Sequence, residues 1–428
     1  MGVRRRLWPL LRLLLLAGSA LVAAVPADAA IAAPGVLHAG DGVVVDGTGK
    51  SLLLRCVNLA AWLIPEGYLI GPGSLAALTT SPSQIKQRLA ALVGRDKAMA
   101  FWSGWTSAFV EESDFTALRQ QGFNCVRLPL AYRNLVKGDA PGAISLDQVG
   151  IAPLDNALAW GAAHGIYVFL DLHDAPGGQN TLASVSDVPS ADRVARLWQG
   201  PTANANQERT VALWRALAAR YSRASSLGGY DLLNEPAMPR GVPAEQLARL
   251  YDRIITAIRT VDRSHLIVLE GDRYAHDFSA LRAPADSNLM FEFHEYSLFN
   301  PAWRVPMLAK LTPFLQLRTT THKPLWLGEF GEESAQWQRE VVQLMKSNGI
   351  GWAVWPWKRI DLKNGHPVMH TIEAPSDWRQ LAGYLVGRWL IPKPSPSRAQ
   401  QAMAHMLQAV QTTSCREDLA LEKTLAGG

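Results

Sequence analysis

Eight apolar stretches alternate with helical patterns along this chain, and this alternation limits the fold more than any other feature. Each stretch is apolar almost throughout, which is typical of parallel strands buried on both faces of a sheet. Parallel strands need crossover connections, and the intervening helices supply them. The sequence therefore predicts an α/β fold, a (β/α)8 TIM barrel. The predicted strands are Leu53–Leu59, Asn124–Leu130, Tyr167–Leu172, Tyr230–Leu233, Leu266–Leu269, Leu289–Phe293, Leu325–Leu327 and Gly351–Trp355.

Helices are predicted between these strands from the spacing of their apolar residues. The segment Ala244–Val261 is the clearest, because its apolar residues recur every three or four positions and so share one face of a helix. The other predicted helices are Phe115–Gln121, Pro153–His164, Asn206–Tyr221, Val305–Thr319, Ala335–Ser347 and Trp378–Leu385.

Two long insertions and a short N-terminal hairpin elaborate the predicted barrel. The hairpin is expected around residues 36–54, with its turn at Gly47–Lys50. The insertions, Leu63–Ser113 and Ala175–Asn206, follow strands and so emerge at the carboxyl-terminal face, where barrel enzymes place their sites. After Pro392 we expect one more helix, Arg398–Gln411, and then a frayed polar tail.

The N-terminus has the pattern of a secretory signal peptide. Four arginines precede the apolar run Leu13–Val25, and a small-residue cleavage site follows, with cleavage predicted after Ala29. The run is shorter than the roughly 20 residues that a spanning helix needs, so a membrane anchor is the weaker interpretation. The predicted domains are residues 1–29 as signal peptide, 30–392 as catalytic barrel and 393–428 as a C-terminal helix and polar tail. The protein is expected to be secreted or periplasmic.

Charge and cysteine content exclude other classes of protein. The formal net charge is +5, but removal of the arginine-rich signal brings the chain toward neutrality, so a nucleic-acid partner is not implied. Cys56, Cys125 and Cys415 are too few for a disulfide framework or a thiolate metal site. Cys56 and Cys125 lie in apolar runs, where buried free thiols are expected, although a single disulfide bond remains open.

Two glutamates end apolar strands and are the first candidates for chemistry. Glu235 follows Leu232-Leu233-Asn234, and Glu329 follows Leu325-Trp326-Leu327-Gly328. A single glutamate is most often a surface residue. If both strands belong to one barrel, however, the two carboxylates meet at one mouth, an arrangement that suits glycoside hydrolysis.

Further polar and aromatic residues end other predicted strands and offer these glutamates partners. They are Arg127, His173, His294, Tyr296 and Trp355, with Asn234 directly before Glu235. With these residues in this order, the chain resembles glycoside hydrolase family 5, the large cellulase-like family, over roughly residues 36–390. The segment Leu170–Asn180 is similar to the exo-1,3-glucanase branch, and the region from Trp352 resembles related bacterial members.

The resemblance implies a secreted retaining β-glycosidase that acts on β-glucan or β-glucosides. It implies that Glu235 is the acid/base and Glu329 the nucleophile, supported by donors from Arg127 and Tyr296. By the same resemblance, Asn234 binds the sugar 2-hydroxyl, and the innermost subsite is formed by His173, His294 and Trp355. The physical argument agrees, because a carboxyl in an apolar pocket near a second carboxylate has a raised pKa and can serve as the acid.

The same residues allow two alternative functions. A glycolipid hydrolase is the first, because the aromatic segment Phe101–Phe109 could hold an apolar aglycone, and the second is a non-catalytic carbohydrate-binding barrel. Trp62, Trp102 and Trp105 either line a sugar cleft or pack on the barrel's own helices.

A cation could be bound by Asp171, His173, His294 and Glu295. Zinc, however, requires three or four convergent ligands, and we expect no metal. The expected partners are a carbohydrate substrate, no cofactor, no nucleic acid and no stable membrane anchor, with the protein as a monomer.

Overall fold

A computed structural model of the chain describes residues 35–71, 75–138, 144–188, 193–281, 286–296, 307–361 and 367–427. Eight parallel strands close into a barrel in the order β10-β3-β4-β5-β6-β7-β8-β9, which confirms the predicted fold. A short antiparallel hairpin, β1 (His38–Ala39) and β2 (Val44–Val45), precedes them. The barrel strands are β3 (Arg55–Asn58), β4 (Cys125–Ala131), β5 (Tyr167–Asp174), β6 (Leu227–Asp231), β7 (Leu266–Glu270), β8 (Leu289–Glu295), β9 (Leu325–Gly331) and β10 (Gly351–Trp355).

Helices surround the barrel, and the predicted ones are present, Ala335–Ser347 and Trp378–Leu385 with the predicted ends and the others with shifted ends. They are α1 (Gly67–Ile70), α2 (Leu75–Thr79), α3 (Pro82–Val93), α4 (Arg95–Phe109), α5 (Glu112–Gln121), α6 (Tyr132–Leu135), α7 (Gln148–His164), α8 (Ala183–Ser186), α9 (Ala203–Tyr221), α10 (Glu245–Arg259), α11 (Asp272–Ala275), α12 (Met307–Thr321), α13 (Ala335–Ser347), α14 (Trp378–Leu385), α15 (Pro396–Ala409) and α16 (Leu419–Leu425). The first two residues of the predicted helix Val305–Thr319 lie outside the described residues.

The barrel interior is divided into an apolar layer and a polar layer. The apolar layer fills the amino-terminal half with buried residues such as Phe169, Met290 and Trp326, and Leu37 of the N-terminal segment packs against it. The polar layer begins about two residues further along the strands, where Asp171 and Glu292 follow Phe169 and Met290. Side chains two positions apart in a strand face the same way, so the strands carry apolar and then polar residues up the inside of the barrel.

The N-terminal hairpin differs from its prediction. The ladder between β1 and β2 turns through residues 40–43, and the predicted turn at Gly47–Lys50 is a second turn closed by an isolated bridge between Val45 and Ser51. Asp46 stabilises that second turn, because its carboxylate accepts from the backbone N–H groups of Thr48 and Lys50.

Most of the first insertion forms a helical layer, in which its tryptophans pack. Helix α3 begins with the predicted capping box, in which Ser81 and Gln84 bind each other's backbone N–H groups. Trp105, on α4, is 1% exposed, stacks on Phe109 and Trp378, and donates to the carbonyl of Ala61. The prediction that this ring lines a sugar cleft is therefore wrong.

Trp62 and Trp102 belong to the same layer. The indole of Trp62 is buried and donates to the carbonyl of Thr106, and Trp102 packs edge-on against Trp105 and Phe101. Helical spacing places Phe101, Trp105 and Phe109 along one side of α4, and that side faces the C-terminal helices.

The C-terminal segment is ordered, which corrects the expected frayed tail. Strand β13 (Arg416–Glu417) pairs with β12 (His370–Glu373), which itself pairs with β11 (Lys358–Asp361). Helix α16 then packs on α13, with Leu421 and Leu425 buried. The indole of Trp352, on β10, donates to the carbonyl of Leu425 and so anchors the segment to the barrel.

Cys56 and Cys125 form a disulfide bond, so the expectation of free thiols is wrong for this pair. The two residues are register partners on adjacent strands, with Cα atoms 4.4 Å apart, within the range that a disulfide bond spans. Cys415 is the free cysteine of the described chain and is half-buried.

The predicted signal peptide, residues 1–29, lies outside the described residues. Within the part of the chain that the structure describes, no helix combines the length and apolar character needed to cross a membrane.

The disulfide generates a stability prediction. Replacing both Cys56 and Cys125 by alanine is expected to lower the free energy of unfolding by about 2–4 kcal/mol, because the unfolded chain regains the freedom that the cross-link removes. Urea unfolding followed by tryptophan fluorescence measures this. The Cys415→Ala variant is the control, and a double variant as stable as that control contradicts the prediction.

Candidate active site

All eight barrel strands contribute a side chain to one polar centre at the carboxyl-terminal end. Every site residue predicted from the sequence lies there, at or just beyond a strand end. The strand contributions are Asn58 (β3), Arg127 (β4), Asp171 and His173 (β5), Asp231 (β6), Glu270 (β7), Glu292 and His294 (β8), Glu329 (β9) and Trp355 (β10), with Asn234 and Glu235 following β6 and Tyr296 following β8.

Arg127 organises this centre. Its guanidinium is fully buried and lies within 3.1 Å of five carboxylates, which belong to Asp171, Asp231, Glu270, Glu292 and Glu329. It also donates to the side-chain oxygens of Asn58 and Asn234. Although burial lowers the pKa of Arg127, the surrounding carboxylates raise it well above its ordinary value, so the group is a permanent cation.

Glu329 receives hydrogen bonds from two sides. Arg127 Nη1 donates to its Oε1 at 2.7 Å, and the hydroxyl of Tyr296 donates to its Oε2 at 2.9 Å. His294 Nδ1 lies 3.7 Å from the same Oε2. Donors aimed at both oxygens stabilise the negative charge of the carboxylate and fix its orientation.

The carboxyl group of Glu235 has fewer hydrogen-bonding neighbours than that of Glu329. Its side chain is 14% exposed, and its Oε1 lies 3.0 Å from His294 Nδ1. Burial raises the pKa of Glu235 above its ordinary value, with His173 acting in the opposite direction. One carboxylate oxygen of Glu235, one of Glu329 and a ring nitrogen of His294 all lie within 4.8 Å of one another.

His294 and His173 differ in charge because their surroundings differ. Burial lowers the pKa of His294 to about 3, so its ring is neutral between Glu235 and Glu292. Burial also lowers the pKa of His173, but the carboxylates of Asp171 and Glu66 outweigh this effect and raise it well above its usual value.

One wall of the centre combines an aromatic stack with a buried acid. The rings of His173 and Trp355 stack nearly parallel, with centroids 5.5 Å apart, and Trp355 Nε1 donates to the hydroxyl of Tyr68. Glu66, at the start of the first insertion, is 1% exposed and its Oε1 lies 3.5 Å from His173 Nε2. The sequence analysis did not select Glu66, although an acid soon after the first strand in an apolar stretch was a usable signal.

Three further residues that were not predicted as site residues are buried carboxylates inside the barrel. Burial raises the pKa of Asp231 to about 7, and it also raises those of Glu270 and Glu292 well above their usual range. A Cβ on Gly328 would lie 1.5 Å from Glu292 Oε1, so glycine at this position of β9 makes room for that carboxylate. An acid two positions before a strand-end histidine, as in Glu292 and His294, was the signal available in the sequence.

Two groups in this centre have the donor atoms that a metal ion uses. One is Glu235, His294 and Glu329, and the other is Glu270, Glu292 and His294. In the second group both carboxylates already bind the guanidinium of Arg127, which supplies the positive charge at that position. Of the predicted cation ligands, Asp171 binds Arg127 and His173, and Glu295 pairs with Lys310 away from the centre.

Comparisons with known proteins identify relatives of the chain. Residues 90–360 match the family model described as cellulase (glycosyl hydrolase family 5). A β-xylosidase of Phanerodontia chrysosporium is 30% identical over 348 residues, which cover 74% of this chain and 69% of that protein. A probable glucan 1,3-beta-glucosidase A of Aspergillus niger is 31% identical over 253 residues, 59% of this chain and 57% of that protein.

Among solved structures, the chain is similar to the crystal structure of an endogalactoceramidase. The TM-score is 0.59 at 23% sequence identity, over 82% of this chain and 84% of that one. This similarity shows a shared fold.

The electrostatics around Arg127 generate a prediction about stability and pH. Arg127→Leu is expected to lower the free energy of unfolding by about 3–5 kcal/mol at pH 8, because five carboxylates lose their buried cation. These carboxylates interact with Arg127 only when they are ionised. The deficit therefore shrinks as pH falls through the raised pKa of Asp231, about 7, and the raised pKa values of Glu270 and Glu292.

Urea unfolding of both proteins between pH 8 and pH 5 measures this effect. Arg220→Leu is the matched control, because Arg220 pairs with Asp155 at the surface and is expected to contribute about 1 kcal/mol or less. A deficit in the Arg127 variant that grows toward low pH contradicts the account.

Proposed function

The chain belongs to glycosyl hydrolase family 5 and is a glycoside hydrolase, and from this premise we propose that it hydrolyses β-glucan or β-glucosides with retention of anomeric configuration. The observation that carries the proposal is the paired geometry of Glu235 and Glu329 at one mouth of the barrel. Carboxylate oxygens of the two residues lie within 4.8 Å of each other. Retaining enzymes separate their carboxyl groups by about 5–5.5 Å, and inverting ones by about 6.5–9.5 Å.

Glu235 is the proposed acid/base. Burial raises its pKa, which favours the protonated carboxyl, the form that protonates a leaving oxygen. The neutral ring of His294, 3.0 Å from its Oε1, adds no positive charge that would favour ionisation.

Glu329 is the proposed nucleophile. In the first step one of its oxygens bonds to the anomeric carbon as the glycosidic C–O bond breaks, and the leaving oxygen takes the proton from Glu235. In the second step the Glu235 carboxylate accepts a proton from water, the water oxygen bonds to the anomeric carbon, and Glu329 leaves. Arg127 and Tyr296 hold Glu329 in place throughout.

The remaining polar residues form the proposed innermost sugar subsite. Asn234 is the proposed ligand of the 2-hydroxyl, and Arg127 Nη2 fixes its side-chain oxygen at 3.0 Å, which leaves the amide nitrogen as the donor. Trp355 is the proposed floor of this subsite, and its ring lies nearly parallel to the ring of His173.

Secretion or periplasmic location is part of the proposal. It rests on the basic and apolar pattern of residues 1–29 and on the Cys56–Cys125 disulfide bond, which persists in oxidising compartments.

One rival, a glycolipid hydrolase, remains as an outcome of the tests. A glycolipid substrate is kept because a solved neighbour is an endogalactoceramidase, although Phe101, Trp105 and Phe109 of the aromatic segment are buried. A non-catalytic carbohydrate-binding barrel has no need of two acids held in this geometry.

Removal of either acid is expected to abolish turnover of natural substrates, and the two variants are expected to differ in their activity on synthetic glucosides. Glu235→Gln should lower kcat/KM on a phenyl β-glucoside by about 10²-fold or more, and much less on a 2,4-dinitrophenyl β-glucoside, whose leaving group needs no proton. Glu329→Gln should lose both activities, because both need the nucleophile.

Steady-state kinetics on the two glucosides measure this difference. The matched control is Glu295→Gln, a glutamate at the end of β8 that pairs with Lys310 and is expected to keep near-normal activity. Near-normal turnover by a folded Glu235 or Glu329 variant overturns the assignment.

The stereochemical outcome and the substrate are tested together. Proton NMR of the first-formed sugar should show the β-anomer, whereas an α-anomer appearing first rejects Glu329 as nucleophile. A panel of laminarin, cello-oligosaccharides and glycosylceramides identifies the substrate, and turnover of the ceramides alone favours the glycolipid rival.

A further inference from the structure

The backbone of Glu235 has a conformation that residues with side chains seldom adopt. Its φ is +47°, in the left-handed region. Such a conformation costs on the order of 1–3 kcal/mol and persists only where the surrounding structure holds it. The contacts of this residue's backbone therefore matter for where its carboxyl group points.

Two buried side chains hold the residue from opposite sides. The backbone N–H of Glu235 donates to Glu270 Oε2 at 2.7 Å, and its carbonyl oxygen accepts from Asn180 Nδ2 at 3.0 Å. Neighbouring groups are held as well, because Gln179 Nε2 donates to the carbonyl of Asn234 at 2.9 Å.

Glu270 is itself firmly held. It ends β7, its side chain is fully buried, and its Oε1 accepts from Arg127 Nη2 at 3.0 Å. Its backbone carbonyl accepts from the hydroxyl of Tyr251. The guanidinium that orients Glu329 thus also orients the carboxylate that binds the backbone of Glu235.

We propose that Glu270 is a positioning residue for the acid/base: it holds Glu235 in its left-handed conformation and so aims the carboxyl group at the leaving oxygen. Asn180 is its counterpart at the carbonyl side. The inference rests on the proposed function of Glu235. Glu270 acts through Glu235 and not on the substrate, because it is fully buried and its Oε1 lies 3.0 Å from Arg127 Nη2 and 3.6 Å from His294 Nε2.

This role predicts an effect that depends on the leaving group. A misplaced acid cannot protonate a poor leaving oxygen, but it leaves the attack of Glu329 on a substrate with a good leaving group nearly unchanged. A displacement of about 1 Å can cost about 10²-fold in rate. Loss of stability alone would reduce both reactions by the same factor.

The experiment compares Glu270→Leu with the unaltered enzyme on phenyl and 2,4-dinitrophenyl β-glucosides. Leucine removes the acceptor of the Glu235 N–H at similar volume, and it removes one of five carboxylates that share a single guanidinium. The ratio of kcat/KM on the dinitrophenyl substrate to that on the phenyl substrate should rise about tenfold or more. An unchanged ratio in the folded variant overturns the inference.

A second variant and a control variant separate the positioning effect from an effect on folding. Asn180→Asp keeps the acceptor for the N–H of Leu182 but replaces the donor to the Glu235 carbonyl, and it should raise the same ratio. Asp262→Asn is the control, a buried acid bonded to Tyr230 and His265 at the amino-terminal side of β7, and its ratio should stay unchanged. If the Glu270 variant does not fold, an unchanged ratio in Asn180→Asp rejects the inference.

A crystal structure of the Glu270 variant separates this inference from the proposed function. The Glu235 carboxyl should move away from His294 Nδ1, from 3.0 Å to beyond hydrogen-bond distance. If the unaltered enzyme cleaves neither glucoside nor any other β-glycoside, the proposed function fails, and the structure alone decides the positioning role. An unmoved Glu235 overturns that role.

Discussion

Five carboxylates share the guanidinium of Arg127 inside the barrel, each within 3.1 Å. They come from five different strands, so this one cation ties the carboxyl-terminal ends of β5, β6, β7, β8 and β9 to β4. A guanidinium suits the task because it is always charged and presents five donors in a rigid plane. The positions of both proposed catalytic acids follow from it, directly for Glu329 and through Glu270 for Glu235.

The imbalance of five acids to one cation also sets the chemistry of the site. Burial raises the pKa of Asp231 to about 7, and the nearby carboxylate of Asp171 acts in the same direction, whereas Arg127 lowers it. His294 stays neutral beside them because burial lowers its pKa. Glu235 and Glu329 therefore have different surroundings at a short separation. One is in a largely buried position that favours its protonated form, and the other has donors on both oxygens.

Much of this site could be predicted from residues at strand ends. Arg127, His173, His294 and Glu329 each interrupt an apolar run, and a barrel brings all strand ends to one mouth. Glu270 and Glu292 were missed because each is one acid in or at the end of a short apolar strand, and its burial shows only when the neighbouring strands are in place. Asn180 was missed as a site residue for the same kind of reason, since its contact with the Glu235 carbonyl joins two segments 55 residues apart.

The sequence by itself determined the class of fold and predicted the two proposed catalytic acids, because strand and helix periodicity and strand-end chemistry are local properties of the chain. Only the tertiary structure decided which layer each remaining side chain joins. Trp105 packs under the C-terminal helices and Cys56 bonds to Cys125, since those contacts depend on how distant segments dock. The left-handed backbone of Glu235 is likewise a tertiary outcome, because local preference opposes it and only buried contacts from other strands and loops hold it.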